Sequence, residues 1–160
     1  TAVGDVLKGV VAVCLGRWLF SHLPADAAIS PYLGVYLAAI LAVVGHSKPI
    51  YFGFKGGKGV LVAGGAILAI QPILLPVLTV VFLLCLVPTG MVSLGSIAMA
   101  ASYPVLTLIY GLLKGFAADD LIVCVVGAAI MGGMVIWMHR ANIQRIREGK
   151  EYRFGSKHKQ

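Results

Sequence analysis

Charged side chains are scarce in this sequence. Only 12% of the 160 residues are charged, and none lies between Gly59 and Leu113, whereas a typical soluble domain has about 25% charged residues. A membrane-spanning helix needs only about 20 apolar residues, so this run holds more than one span. Long apolar runs without strict alternation favour helices over a β-barrel. The composition therefore predicts an all-α integral membrane protein rather than a soluble domain.

Cysteine pairs and carboxylates are also few. Three cysteines lie singly within apolar runs, so we expect neither a disulfide nor a metal site. Six Asp and Glu residues stand against 13 Lys and Arg, which gives a net charge of +7. No Ser/His/Asp or Cys/His set occurs at suggestive positions. This balance indicates a protein that binds anions and stabilises their charge rather than one that forms a covalent intermediate.

Six apolar segments follow one another, separated by breaks that contain proline, glycine or charge. We place them at residues 5–22, 29–45, 58–71, 73–88, 91–113 and 120–139. The third and fourth segments are short for full spans, and they form either a hairpin or a single kinked span. The sequence shows no repeat and no second domain, so residues 1–160 are predicted to be one membrane domain with a basic tail at residues 140–160.

The distribution of basic residues favours the hairpin. A hairpin gathers most of the lysines and arginines on one side of the membrane, leaving only Arg17 and Lys114 on the other. The gathered residues are Lys8, Lys48, Lys55, Lys58 and the seven basic residues from Arg140 onward. Because Lys and Arg concentrate on the cytoplasmic side of inner-membrane proteins, we expect this side to be cytoplasmic.

The stretch HSKPIYFGFKGGKG, residues 46–59, interrupts the apolar segments with three lysines and four glycines. Glycines let the backbone take positive φ and approach a ligand closely, and successive N–H groups in such a turn can bind an anion. A helix that begins near Gly57 would add its positive N-terminal end. The pattern predicts a phosphate-binding loop, although it is not a Walker loop, which needs GxxxxGK followed by Ser or Thr. A flexible cytoplasmic loop with ordinary positive-inside lysines is an equally good interpretation of the composition.

Two further polar regions fall on the same predicted side. In the tail, which continues the last span, His139 and Asn142 are spaced to share a helical face, although a basic tail on anionic lipid is an equally good interpretation. Ser93 and Ser96 open the fifth segment and are either helix-packing residues or part of the site. Near the amino end, Asp5 and Lys8 are spaced to form a structural ion pair.

Four sequence stretches together resemble the bacterial membrane glycerol-3-phosphate acyltransferases that use acyl phosphate. GHSKPIYFGFKGGKGV resembles the family signature GHxFPxxxxFKGGKGVAT, and HRANIQRIREGKE is similar to HRxNIxRLxxGxE. TGMVSLGSI is similar to TRYVSLGS, and GDVLKG to DxLKG. The resemblance covers essentially the whole chain.

This resemblance implies a fold and a reaction. The fold is a seven-helix bundle in the bacterial inner membrane, with the amino end outside and the active site and C-terminus cytoplasmic. The reaction transfers a fatty acyl group from acyl phosphate to sn-glycerol 3-phosphate, giving 1-acylglycerol 3-phosphate and phosphate, the first step of phospholipid synthesis. The implied partners are the two substrates and the lipid bilayer. No cofactor, metal, nucleic acid or obligate protein partner is implied.

The resemblance also implies roles for particular residues. The catalytic residues are predicted to be Lys55, His139 and Asn142. The substrate-binding residues are predicted to be His46, Gly56, Gly57, Lys58, Gly59, Ser93, Arg145 and Glu151. We expect the glycine loop, with Lys58 and His46, to hold one phosphate, and the acyl chain to lie between helices near the third and fourth segments, open to lipid.

The chain departs from the family pattern at several positions. The signature GSGNxGATNxxR, which follows the family's first helix, does not occur in these residues, so the six segments should correspond to helices two to seven. Lys48 stands where the family has Phe, Leu61-Val62 replace Ala-Thr, and Gly90-Met91 replace Arg-Tyr. A carrier of organic phosphates would use similar basic pockets, but the charge-free segments offer no polar path across the bilayer. A purely structural lipid-binding protein would leave the loop and the tail unexplained.

Overall fold

The computed structural model describes residues 2–24, 29–47 and 57–155, and within these ranges the regular structure is helical. Six helices correspond to the six predicted apolar segments, and a short seventh helix follows them. They are α1 (Ala2–Ser21), α2 (Pro31–Ser47), α3 (Val60–Ile70), α4 (Leu74–Thr89), α5 (Val92–Lys114), α6 (Ala118–Met138) and α7 (Arg140–Arg147). The prediction of an all-α bundle is confirmed.

Glycines end two of the long helices. Gly90 follows α4 with φ 70° and Gly115 follows α5 with φ 68°, a left-handed conformation that glycine adopts without steric cost. At each position the glycine N–H bonds to a carbonyl of the preceding turn, which satisfies part of the helix end. The positions of these turns fix the lengths of α4 and α5.

Helices α3 and α4 form a hairpin. Gly59, just before α3, lies against Val43 and Met138, at the ends of α2 and α6. Gly90, just after α4, accepts a hydrogen bond of 2.7 Å from the backbone N–H of Phe154, beyond α7. The start of α3 and the end of α4 therefore lie at the same end of the bundle. This confirms the hairpin that the charge distribution favoured.

Charged residues separate between the two ends of the bundle. Asp5 and Lys8 form the predicted ion pair at 3.2 Å, at the same end as Gly59. At the other end, Arg17 donates to the carbonyl of Ala69 at 2.8 Å, close to the α3–α4 turn. There too, Ser30 donates to Asp120 at 2.6 Å. The sequence prediction that basic residues collect at one end holds for the described residues.

Close helix contacts depend on glycine. Helix α1 packs against α2 and α3, α2 against α6, α6 against α5, and α5 against α4. Gly9 of α1 faces the backbone of Val62, and Gly65 of α3 faces the backbone of Val6. A side chain at either position would overlap a carbonyl oxygen. Small residues that allow such close approach are typical of helix pairs in membranes, where lipid gives no hydrophobic drive for association.

Large apolar side chains cover the outside of the bundle. On α1, Val3, Leu7, Val11 and Leu15 are all more than half exposed and are spaced every four residues along one face. Helices α5 and α6 are long and apolar enough to cross a membrane, and α2, α3 and α4 are shorter apolar helices. Such continuous exposed apolar surface is rare on soluble monomers and is suited to contact with lipid.

Replacing Gly9 with valine should separate α1 from α3. The new side chain would overlap the Val62 carbonyl, and overpacking of this kind costs about 1–3 kcal/mol. The measurement is thermal unfolding in detergent, with Gly133→Val as control because a Cβ at Gly133 meets no atom within 4 Å. Equal unfolding temperatures for the two variants would contradict this account of the α1–α3 contact.

Candidate active site

A cavity of about 570 Å³ opens at the end of the bundle that carries the basic residues. Its walls come from the first turns of α3 and α5, from α4, and from the chain between His139 and Tyr152. The lining residues are Lys58, Val60, Leu61, Phe82, Val92, Ser93, Ser96, His139, Asn142, Arg145, Glu151 and Tyr152. Polar regions that are far apart in sequence thus meet in one space, as the sequence predicted.

The Glu151 carboxylate is the hub of the hydrogen bonds in this cavity. One oxygen accepts from the Ser93 hydroxyl and from the Asn142 amide, each at 2.6 Å. The other accepts from Arg145 Nε at 2.8 Å. The Glu151 side chain is only 6% exposed, so this carboxylate is buried with partners from two separate parts of the chain.

These partners keep Glu151 charged. Desolvation alone would raise the pKa of the carboxyl, but hydrogen bonds from Ser93, Asn142 and Arg145 outweigh it and lower the pKa to about 2. The observed contacts of Glu151 are to protein groups, and a carboxylate repels phosphate. The geometry therefore indicates that Glu151 orients Ser93, Asn142 and Arg145, while its predicted contact with substrate stays a prediction.

A reversal of the chain after α7 brings Glu151 back to Asn142. Gly149 has φ 68°, and its N–H bonds to the Ile146 carbonyl at 3.1 Å. The next N–H, of Lys150, bonds to the Arg145 carbonyl at 2.8 Å. This pairing is the usual way in which a glycine ends a helix and turns the chain. The chain then runs past Glu151 to Phe154, which bonds to Gly90, so the described part of the tail packs against the bundle.

His139 lies in a turn between two helices. The sequence predicted that the last span continues straight into the tail, but α6 ends at Met138 and α7 begins at Arg140. The His139 side chain is nevertheless buried beside Asn142 in the cavity. Its Nδ1 lies 2.7 Å from the Val135 carbonyl, and because a carbonyl only accepts, Nδ1 must carry the proton. In the neutral ring, Nε2 is then the nitrogen that can accept one.

Burial keeps that ring neutral. Desolvation is the largest influence and lowers the pKa of His139, and the positive charge of Lys58 lowers it further. The bond to the Val135 carbonyl and the charge of Glu151 act in the opposite direction without reversing the shift. At neutral pH the imidazole is therefore an acceptor on Nε2 rather than a cation.

Part of the glycine–lysine loop borders the cavity. Lys58 is a lining residue, and Gly59 has φ 72°, a conformation that favours glycine. The helix begins at Val60, not near Gly57 as predicted, because the left-handed Gly59 precedes the first helical turn. That first turn, with Val60 and Leu61, faces the cavity. Lys55 and Gly56 lie outside the described residues, so their predicted roles stay predictions.

His46 and Gly57 lie beside the cavity rather than among its described lining residues. His46 Nδ1 is 3.5 Å from the Asp5 carboxylate. Its Nε2 faces Gly57 so closely that a Cβ there would overlap the ring. His46 thus joins the end of α2 to the start of α1 and to the glycine loop, and its predicted contact with substrate stays a prediction.

Several lining residues were missed by sequence reasoning. Phe82 and Val92 are apolar residues within apolar segments and carried no signal. Tyr152 directly follows Glu151, and its place in the cavity depends on the chain reversal at Gly149. Ser96 was considered with Ser93, but its hydroxyl donates to the Val92 carbonyl at 3.0 Å, as expected of a residue that packs within a helix.

A second, apolar groove of about 290 Å³ adjoins the cavity. It lies between α3 and α4, with one residue each from α1 and α5. Its lining residues are Val6, Val60, Leu61, Gly64, Leu68, Leu75, Thr79, Phe82 and Met99. Val60, Leu61 and Phe82 line both spaces, so the apolar groove borders the polar cavity directly.

A bundle of lipid-exposed helices with a cationic, hydrogen-bonding cavity at one end defines a membrane protein that handles a small anion. Comparison with known sequences makes the assignment specific. The sequence profile of the family described as glycerol-3-phosphate acyltransferase matches residues 1–149. The chain belongs to this family, as its motifs predicted, and is a multi-pass membrane acyltransferase.

Individual relatives and solved structures agree with this assignment. A glycerol-3-phosphate acyltransferase of Syntrophomonas wolfei is 36% identical over 97% of this chain and 70% of its own length. The glycerol-3-phosphate acyltransferase of Synechococcus elongatus is 39% identical, and that match also covers 97% of this chain and 70% of the relative. The crystal structure of PlsY (YgiH), an integral membrane glycerol 3-phosphate acyltransferase in its glycerol 3-phosphate form, matches with a TM-score of 0.71 and 30% identity. That match covers 94% of this chain and 68% of that one.

Glu151→Gln should destabilise the protein. The substitution removes the charge that three donors share and leaves at least one of them poorly paired, at a cost of about 1–3 kcal/mol. Glu148→Gln is the matched control, since Glu148 is 41% exposed and pairs only with surface groups, where about 0–1 kcal/mol is at stake. The measurement is the unfolding midpoint in detergent, and equal losses in the two variants would contradict the hub role.

The stability contributed by Glu151 should depend on pH. Because folding lowers its pKa from 4.5 to about 2, the ionised carboxylate stabilises the fold fully above pH 4.5. That contribution is lost as the pH falls from 4.5 towards about 2. The difference in unfolding temperature between wild type and Glu151→Gln should therefore be constant above pH 4.5 and shrink below it. A difference that persists unchanged at the acid end would show that Glu151 does not titrate as proposed.

Proposed function

We propose that this protein transfers a fatty acyl group from acyl phosphate to sn-glycerol 3-phosphate. The hydroxyl oxygen of glycerol 3-phosphate attacks the acyl carbonyl carbon, the bond from that carbon to the phosphate oxygen breaks, and inorganic phosphate leaves. The product is 1-acylglycerol 3-phosphate, or lysophosphatidic acid. The observation that carries the proposal is the cavity that joins Lys58, Arg145 and His139 to an apolar groove. One space thus offers places for a phosphate, a glycerol and an alkyl chain.

Cationic and N–H groups hold the two phosphates in this proposal. Lys58 and the glycine loop bind one phosphate, and Lys55, Ser93, His139 and Asn142 hold the glycerol 3-phosphate. Arg145 lies at the cavity wall with its charge partly shared with Glu151. Holding both substrates in line can supply up to about 7–11 kcal/mol of the barrier. The cations also stabilise the developing oxyanion and the leaving phosphate.

His139 takes the proton of the attacking hydroxyl. Its Nδ1–H is bound to the Val135 carbonyl and its ring is neutral, so Nε2 is an available acceptor. A phosphate oxygen of the substrate itself is the other candidate for this proton, and it suits a cavity in which the carboxylate, Glu151, already accepts three hydrogen bonds. The turnover of a His139→Ala variant distinguishes the two, since only the histidine base is lost in that variant.

The acyl chain occupies the apolar groove between α3 and α4. This placement is the one that the short third and fourth segments suggested, and it leaves the chain in contact with lipid on one side. The cavity and the C-terminal residues lie on the cytoplasmic face of the inner membrane. The collection of basic residues at that end of the bundle supports this orientation, as does the water-soluble nature of glycerol 3-phosphate.

The test of the function is a transfer assay with two donors. The purified protein in lipid is given labelled glycerol 3-phosphate with palmitoyl phosphate or with palmitoyl-CoA, and labelled lysophosphatidic acid is measured. We expect product from palmitoyl phosphate and none above background from palmitoyl-CoA. Product from palmitoyl-CoA alone would overturn the donor assignment. Uptake of label into sealed vesicles without acylation would instead indicate a carrier.

His139→Ala should lower kcat by about 100- to 10,000-fold, the range typical of a lost general base. His22→Ala is the matched control. His22 Nδ1 also lies close to the carbonyl four residues before it, that of Trp18 at 2.8 Å, but His22 is exposed at the opposite end of the bundle. Unchanged turnover in His139→Ala would transfer the role of base to the substrate phosphate.

A further inference from the structure

The apolar groove is bounded by one face of each hairpin helix. On α3 the face consists of Leu61, Gly64 and Leu68, and on α4 it consists of Leu75, Thr79 and Phe82. The spacings of three and four residues within each set place its members on one side of a helix. Two regular rows of side chains therefore face each other across the groove.

Each residue of the α3 row has a counterpart in the α4 row at the same distance along the chain from the Gln71–Pro72 turn. Leu61 and Phe82 are farthest from the turn and also line the catalytic cavity. Leu68 and Leu75 are nearest to it and close the far end of the groove. Gly64 and Thr79 lie halfway between. An alkyl chain entering from the cavity meets this middle pair before it reaches the far end.

The middle pair carries the smallest side chains. A Cβ built on Gly64 meets no atom within 4 Å, so the space beside this glycine is open groove. The Thr79 hydroxyl donates to the Leu75 carbonyl at 2.8 Å. Its polar atom is therefore satisfied by its own helix, as is common for threonine in apolar surroundings.

Helix packing does not account for Gly64. Its neighbour Gly65 faces the Val6 carbonyl and is needed for the close contact of α1 with α3. Gly64 has no such neighbour, and glycine is a poor helix former relative to alanine. The structural consequence of a glycine at this position is the open width of the groove.

We infer that Gly64 determines which acyl chains the enzyme accepts, because its missing side chain lets a long chain pass Thr79 and reach Leu68 and Leu75. The inference rests on the proposed placement of the acyl chain in this groove. The ligand is the alkyl part of a long-chain acyl phosphate. A chain that ends before the middle pair would not depend on it.

The experiment compares Gly64→Ala and Gly64→Leu with wild type, using octanoyl, dodecanoyl and palmitoyl phosphate as donors. Gly133→Leu is the control, because a Cβ at Gly133 also meets no atom within 4 Å but lies on α6 away from the groove. For Gly64→Leu, we expect the ratio of kcat/KM for palmitoyl to octanoyl phosphate to fall about tenfold or more, the scale of overpacking an apolar site. The same ratio for Gly64→Ala should lie between the values for Gly64→Leu and wild type. The KM for glycerol 3-phosphate and the behaviour of Gly133→Leu should not change.

Binding provides a second readout that does not need turnover. Hexadecyl and octyl phosphate are tested for stabilisation of each variant against thermal unfolding in detergent. Gly64→Leu should lose the stabilisation by hexadecyl phosphate and keep that by octyl phosphate. The inference would be overturned if Gly64→Leu lost the stabilisation by both alkyl phosphates equally. It would also be overturned if the variant kept the wild-type dependence on chain length.

A failure of the proposed function can be distinguished from a failure of this inference about Gly64. If the wild-type protein transfers no acyl group from any acyl phosphate, the reaction assignment is wrong, while the binding profile of the alkyl phosphates still decides the role of Gly64. Leu68→Ala supplies the reciprocal test, since shortening the far end of the groove wall should favour the longest donor. A reduced preference for palmitoyl phosphate in Leu68→Ala would contradict the proposed direction of the groove.

Discussion

The burial of a single carboxylate organises the polar end of this membrane protein. A charge taken out of water must be paired and hydrogen-bonded, or its burial costs several kcal/mol. Glu151 meets that requirement with Ser93 from the start of α5 and with Asn142 and Arg145 from α7. The same contacts tie the last helix to the bundle and set the positions of three cavity residues. Stability and the shape of the site therefore depend on one set of hydrogen bonds.

Glycine serves two different purposes in the adjoining hairpin. Gly65 lets α3 approach the backbone of α1, whereas its neighbour Gly64 leaves space in the groove between α3 and α4. Adjacent residues of a helix point about 100° apart, so one pair of glycines both closes a helix contact and opens a groove. The α3–α4 hairpin thus packs against α1 on one side and lines the apolar groove beside the candidate active site on another.

The chemistry of the cavity is consistent with a substrate that arrives already activated. In the proposed reaction, negative charge must be stabilised as the phosphate leaves, and the lining of the cavity includes Lys58 and Arg145, whose charges suit this purpose. The buried carboxylate is occupied by protein donors, and the neutral His139 is left with Nε2 as an acceptor. In the proposed mechanism such a site orients the substrates and balances their charge, and no covalent enzyme intermediate is required.

The sequence alone determined the apolar helices, the hairpin, the separation of charge between the two ends and the family. These properties follow from local composition, from helical spacing and from short motifs, which tertiary contacts do not alter. The sequence did not determine the start of α3 at Val60 or the break at His139, because both depend on how neighbouring elements pack. The partners of Glu151 were equally hidden, since Ser93 lies 58 residues away along the chain. Only the tertiary structure brought these groups together, because no local pattern encodes which buried donors will face a given carboxylate.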